Sequence, residues 1–514
     1  MVGVALLAAG CGADSDPQAA AVEAIAPEGG GVLRLGVVGP VVVDPLAASV
    51  GDPLHTLVAD AAFDGLTEVD PGTGEVRPSL ASSWSSDDGV TWTFELDPER
   101  TFADGTPVTA ADVVASLERA ARAEGDAALS AVQLEGIEGV ADLRMGAVEH
   151  AGGLEATSEQ VVTVRLTAAD RELPAILADV TFGVVPESAI AAAAAGSDGG
   201  VGFAVGSGPL GRIGRDDEVV TLDPAGERPP DGLDGVVVRS YATGEAAHEA
   251  FERGEVDVVA AGADDGESDR RTRVPVGVAY LGANVGSARL ADAGQRATVL
   301  GSVERSALAG AVGGEVAGRL APASTPGSDL CAASCPLPAV EDSGAALGAV
   351  AAAGPLWLLV GPGDAFAAVA DELIARWGEA GLVVERVGGT EAELQAALGG
   401  GEYDLVLWGT AGLTPSPTAF LAASFATGGD ENVVGLGSVE VDAALATARS
   451  TADDAERANA FGAVDRAVVQ AGAAVPLVRL GPAVLVAERV AISSPPEGVP
   501  GPVLLDVRRT TITR

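Results

Sequence analysis

No lysine occurs in the 514 residues: all 30 basic residues are arginine, set against 74 acidic ones for a formal net charge of −44. So acidic a chain repels nucleic acid and anionic lipid headgroups, and no DNA or RNA partner is expected. Histidine is also scarce. His55, His150 and His248 are scattered without metal-ligand spacing, and His248-Glu249-Ala-Phe-Glu252 has a glutamate where a zinc-protease helix needs its second histidine. A G-x-S-x-G elbow and a P-loop are both missing. Gly206 to Gly211 satisfies G-x-G-x-x-G, but a strand is expected after it and Pro209 sits inside the turn. That reads as a glycine-rich connection, not a dinucleotide fingerprint. With no catalytic constellation, the chain is expected not to be an enzyme and to need no metal or cofactor. No apolar run of about 18 residues follows the N-terminus, so no membrane-spanning helix is expected there.

Cysteine is limited to three residues. Val2 to Ala9 is a short apolar run ending Leu7-Ala8-Ala9-Gly10-Cys11, and small residues before a cysteine match a bacterial lipobox. Residues 1–11 are therefore expected to be a lipoprotein signal with Cys11 as the lipid-bearing residue. A basic leader is missing, which places the expected translation start upstream of Met1. Residues 12–30, rich in alanine, glycine, proline and acid, suit a flexible tether. Cys331 and Cys335 lie four apart with no second Cys/His pair. In an exported chain this spacing favours a small disulfide over a zinc half-site.

At 47% apolar content, the length supports two or three domains. Val32 to Val38 reads as a first strand, and Leu54 to Leu66 as a helix ending at Phe63-Asp64-Gly65. Val90 to Leu96 alternates apolar and polar, as a half-buried strand does. Thr109, with Asp112 at the reciprocal capping position, opens a helix bearing Val113, Val114, Leu117, Ala120 and Ala121 on one face. In the last third, Leu356–Val360, Leu382–Val387 and Tyr403–Trp408 read as strands separated by helices at 365–379 and after Thr390. That rhythm predicts a parallel α/β layer with right-handed crossovers. Glu245 to Arg253, Gly254 and Val256 to Ala260 repeat the helix-then-strand step.

Phe63-Asp-Gly-Leu66, Leu80-Ala-Ser-Ser-Trp84, Asp88-Gly-Val-Thr-Trp-Thr-Phe94 and Phe102-Ala-Asp-Gly-Thr-Pro-Val-Thr-Ala-Ala-Asp112 match, in order and spacing, the signature region of a known family. Further matches are Gly206-Ser-Gly-Pro209, Gly254-Glu-Val-Asp257, Asn284, Arg296, Glu304-Arg305, Gly401-Glu-Tyr-Asp404, Asn432, Glu440-Val-Asp442 and Pro476-Leu477. The chain, over roughly residues 32–510, resembles the extracytoplasmic family 5 solute-binding proteins of peptide-type ABC transporters.

The resemblance implies a two-lobed α/β fold of the periplasmic-binding-protein type (type II) with an inserted extra domain and a hinge between the lobes. Carried over, lobe one would be 31–53, 160–242 and 479–514, the inserted domain 54–159, and the second lobe 243–478. The chain would then cross between lobes near Tyr241 and Arg479, where hinge closure is expected. Ligands of open α/β sheets sit outside the carboxyl ends of strands. The implied contacts are Trp408, Gly409, Thr410, Ala411 and Leu413, with Ser207 and Asn432; Trp408 suits the core as well as the cleft. Leu413 stands where oligopeptide receptors have the aspartate that holds a peptide's amino terminus, and Ser438-Val439 replace the family's usual Asn-Pro. The implied ligand is a peptide, opine, sugar or similar small solute. The implied partners are an ABC permease and ATPase and, through the lipid, the outer face of the cytoplasmic membrane; a monomer is expected. A sensor or structural lipoprotein with a degraded cleft is the alternative, which the 4% aromatic content keeps open.

Overall fold

The computed structural model describes residues 31–48, 52–70, 73, 75–124, 128–194, 202–216, 218–226, 232–261, 270–273, 277–321, 343–388, 390–411, 416–491 and 510–512. The expectations for Cys11, the tether, Cys331 with Cys335, and Leu413 lie outside these residues. Among the described residues no helix is long and apolar enough to cross a membrane, and no group of side chains could hold a metal ion.

Three sheets organise the molecule. The first has seven strands in the order Arg271–Arg273, Ala483–Val486, Val258–Ala260, Val32–Val38, Gly235–Tyr241, Val219–Asp223 and Arg212–Asp216. Val32–Val38 runs parallel to both of its neighbours, and its alternation buries Leu33, Leu35 and Val37 on one face. Helix Pro53–Ala62 covers that face through Leu54, Leu57, Val58 and Ala61.

The second sheet is a four-stranded antiparallel one, in the order Ala81–Ser85, Thr91–Leu96, Val161–Arg165 and Leu154–Ser158. Trp92, Phe94 and Leu96 point inward from it, beneath helix Ala110–Ala121. That helix is fixed at its start by a full capping box: Thr109 Oγ1 accepts from the Asp112 N–H, and the Asp112 carboxylate accepts from the Thr109 N–H at 2.9 Å. Its register sets Val113, Leu117, Ala120 and Ala121 into the core.

The third sheet orders Val384–Val387, Leu356–Val360, Leu405–Ala411, Gly277–Ala283 and Ala474–Leu480. Its first three strands are parallel and linked by helices Asp364–Glu379 and Glu391–Gly400, the layer predicted by the alternating pattern. Both faces are covered. Leu405 and Leu407 enter one core and Val406 the other, so the strand is apolar almost throughout, as a doubly covered strand should be.

Two expected boundaries move. Helix Gly244–Glu252 and strands Val258–Ala260 and Arg271–Arg273 belong with the seven-stranded sheet, so the first crossing lies between Arg273 and Gly277, not near Tyr241. The core of the inserted part runs from Leu66 to Val184, and helix Pro53–Ala62 packs with the first lobe. Asp257 explains the first shift. Fully buried, it accepts from the Arg34 N–H, from Arg34 Nε and Nη2 at 3.0 and 2.7 Å, and from Arg489 Nε and Nη2 at 2.7 and 2.5 Å. Burial pushes its carboxyl up, but these two guanidinium groups outweigh that and hold it below the usual carboxylate range. The clamp ties the strand after Asp257 to the first strand. The chain returns to this sheet between Leu480 and Ala483. Arg273 pairs with Ala483 and Gly277 with Leu480, so the residues that flank the two crossings are paired.

Replacing Asp257 by alanine leaves two guanidinium groups without their acceptor. Because Arg34 and Arg489 keep 35% and 37% side-chain exposure, the loss should sit near the lower end of the roughly 3–5 kcal/mol typical of broken buried pairs. Urea unfolding measures it; an unchanged midpoint would show that the clamp is dispensable.

Candidate ligand site

Strand Leu405–Ala411 ends at the loop expected to meet a ligand. Trp408 is half-buried above Gly361, where an added Cβ would come within 3.2 Å of the indole ring. Gly409 is equally constrained, since a Cβ there would lie 2.8 Å from the Phe366 ring. Thr410 and Ala411 continue the strand opposite Val278 and Gly277. The indole is thus a packed wall at the middle of the strand, flush with the core formed by Val406, Leu359 and Tyr280.

The described chain resumes at Ser416, which is fully buried and is the N-cap residue of helix Pro417–Phe425. Here the second lobe meets the segment Asp170–Glu172, which follows the four-stranded sheet. Glu172 is 5% exposed, and its Oε1 accepts from Arg457 Nε at 2.5 Å. Arg457 in turn reaches Asp454 at 2.5 Å and the Thr451 carbonyl at 3.1 Å. Asp170 Oδ2 lies 3.4 Å from Arg449 Nε, and the Arg171 N–H donates to the Arg449 carbonyl at 2.8 Å. Burial pushes Glu172 up to about 7 against the pull of Arg457; the neighbouring Asp170 adds to the rise, and the Ser416 hydroxyl opposes it. Asp170 is raised as well, chiefly by burial, with Arg449 pulling the other way.

Beside this contact is a cavity of about 320 Å³, at the small end of the roughly 300–1,000 Å³ range of ligand sites. The four-stranded-sheet side contributes Gln133, Ile137 and Asp170; the second lobe contributes Thr418, Asp430 and Arg449. Apolar floor and charged rim together suit a small solute with both donors and acceptors, and the residues offer no nucleophile–base pair. Gln133 Oε1 and Thr418 Oγ1 are buried here with no hydrogen-bond partner among the described residues. Sequence reading missed Asp170, Glu172, Arg449 and Arg457. Their one signal is Asp170-Arg-Glu172 ahead of Leu173-Pro174, an ordinary sight among 74 acidic residues.

Two expected contacts, Ser207 and Asn432, have partners within the fold. Ser207 is 5% exposed; its hydroxyl accepts from the Asp64 N–H at 3.0 Å and donates to the Val184 carbonyl at 2.8 Å. It holds the Gly206–Gly211 turn against the end of helix Pro53–Ala62. A Cβ on Gly206 would come within 1.9 Å of the Ala62 carbonyl, which explains the glycines without any phosphate. Asn432 donates to the Ala426 and Leu436 carbonyls at 2.9 and 2.7 Å and accepts from the Leu436 N–H at 3.0 Å. Its amide staples its own loop. Both side chains hydrogen-bond within the fold in this structure.

The family model for bacterial extracellular solute-binding proteins, family 5 Middle, matches residues 75–432. The periplasmic murein peptide-binding protein MppA of Escherichia coli (strain K12) is 42% identical over 80 residues, covering 16% of this chain and 14% of that protein. The chain thus matches well under two thirds of that relative's length. Likeness of fold extends much further. The unliganded open form of the periplasmic murein tripeptide binding protein MppA gives a TM-score of 0.74 at 18% identity, covering 95% of this chain and 98% of that one. The clavulanic acid biosynthesis oligopeptide binding protein 2 gives 0.75 at 18% identity, covering 95% and 96%. With two lobes, a hinge between them and a family match over most of its length, the chain belongs to the bacterial extracellular solute-binding proteins, family 5.

Proposed function

We propose that the protein captures a peptide or peptide-like small solute outside the cytoplasm and delivers it to an ABC permease and its ATPase. One observation carries this reading: the paired crossings at Arg273–Gly277 and Leu480–Ala483 join two lobes whose opposite ends meet around a mixed polar and apolar cavity. Paired crossings bend with little change in either sheet, so closure over a solute is the natural motion. Trp408, Gly409, Thr410, Ala411 and Leu413 are kept as the proposed solute contacts on the family resemblance; of the described ones none lines the cavity, whose second-lobe wall begins at Thr418. The relatives whose names refer to murein peptide and oligopeptide binding support the peptide class. Lipid attachment at Cys11 would hold the protein to the outer face of the cytoplasmic membrane, where a permease is within reach.

Leu413 cannot neutralise an ammonium group, so a free peptide amino terminus should contribute little. Thermal unfolding of the protein truncated before residue 31, screened with di- to pentapeptides, opines, sugars and metal chelates, should give a peptide-like hit. A solute at 100 times its Kd stabilises by about 2.7 kcal/mol. Calorimetry with that peptide and its amino-acetylated form should give affinities within a few-fold of each other. Tight binding abolished by acetylation would overturn the reading of Leu413; no stabilisation by any class would favour a scaffold with a degraded cleft.

A further inference from the structure

We propose that the Glu172–Arg457 pair is a proton-sensitive latch of lobe closure, seated against Ser416. The inference rests on the closure reading above. Three observations place the latch. Glu172 and Arg457 belong to different lobes, 285 residues apart in the chain, and meet at 2.5 Å. Neither residue is on the strands that carry the crossings, so a swing that parts the lobes here must break the pair. Both are largely withdrawn from water, with side-chain exposures of 6% and 15%, and Ser416 stands against the carboxylate.

The charged groups facing Glu172 come from each element packed on it. Arg457 and Asp454 are on helix Asp454–Gln470, Arg449 is on helix Val439–Ser450, and Asp170 is on its own segment. Arg457 faces Glu172 and Arg449 faces Asp170, while Asp454 is 90% exposed and hydrated. Withdrawal of Glu172 from water beside Asp170 disfavours its charged form, and a proton relieves both the desolvation and the like-charge repulsion.

The sign follows from linkage. With the pair made, Glu172 is raised to about 7; parting the lobes would rehydrate it and return it toward the ordinary carboxylate range. A group raised in the closed state favours closure fully below its open-state value, and that favour is lost as pH rises through about 7. Within this window the closed-to-open ratio should fall by up to about tenfold per pH unit. Capture would be strengthened at an acidic cell surface and relaxed at an alkaline one.

Distance measurements between spin labels on the two lobes of the solute-free protein test this without knowledge of the ligand. The short-distance population should grow as pH is lowered from 8 to 5. Glu172→Gln, which keeps the shape of the protonated group, should make that population insensitive to pH. Arg457→Gln removes the opposing cation and should move the transition to higher pH. Identical distance distributions at pH 5 and 8, or a Glu172→Gln protein that titrates like the parent, would overturn the latch. If the peptide found by thermal screening still closes the lobes in that case, solute capture stands and the latch alone fails. If no solute closes them, the capture reading itself fails.

Discussion

Arginine–carboxylate pairing in a chain with no lysine is the interaction on which the rest of this structure depends. A guanidinium carries five N–H donors in a planar fork, so one side chain can satisfy several buried acceptors at once; an ammonium is a point charge that cannot. Arg34 and Arg489 together saturate Asp257 and hold the returning strand in the first sheet. Arg319 meets Asp465 at 2.6 Å in the second lobe with both side chains at 2% exposure or less. Arg296 spreads its donors over the carbonyls of Leu290, Ala291, Ala471 and Gly472. In a molecule with 44 surplus negative charges, these arginines are placed where an unpaired acid or carbonyl would otherwise be buried.

The same chemistry divides structural pairs from the pairs at the junction. Asp257 is over-supplied with donors and stays ionised, so it is a fixed joint. Glu172 is under-supplied, shares its surroundings with Asp170, and is pushed toward neutrality by burial. One clamp builds a lobe, and the other sits where the lobes must part. Hinge and latch thus lie at separate places in the fold, which is what a closing receptor requires.

Local patterns showed through in the sequence wherever one residue's chemistry set the structure. The Thr109–Asp112 and Thr390–Glu393 capping boxes, the alternation around Trp92 and the parallel layer from Leu356 to Ala411 formed as their patterns predict, with strand ends shifted by a residue or more. The lobe boundary was not legible, because helix Gly244–Glu252 and strand Val258–Ala260 form the same local unit whichever sheet they join. What assigns them is Asp257 reaching Arg34, 223 residues away. Ser207 and Asn432 looked like contacts because polar residues in glycine-rich loops serve ligands and backbones equally well; only geometry shows their partners to be carbonyls and N–H groups of the fold. Glu172 was hidden for the opposite reason. Its meaning comes from Arg457, and nothing local distinguishes it from the other acids.

The central claim is that two lobes close on a solute about the paired crossings. Small-angle scattering of the protein truncated before residue 31, with and without a solute that stabilises it, tests this most directly. The account predicts a smaller radius of gyration on binding and a narrower distance distribution. Saturating binding that leaves both unchanged would contradict it.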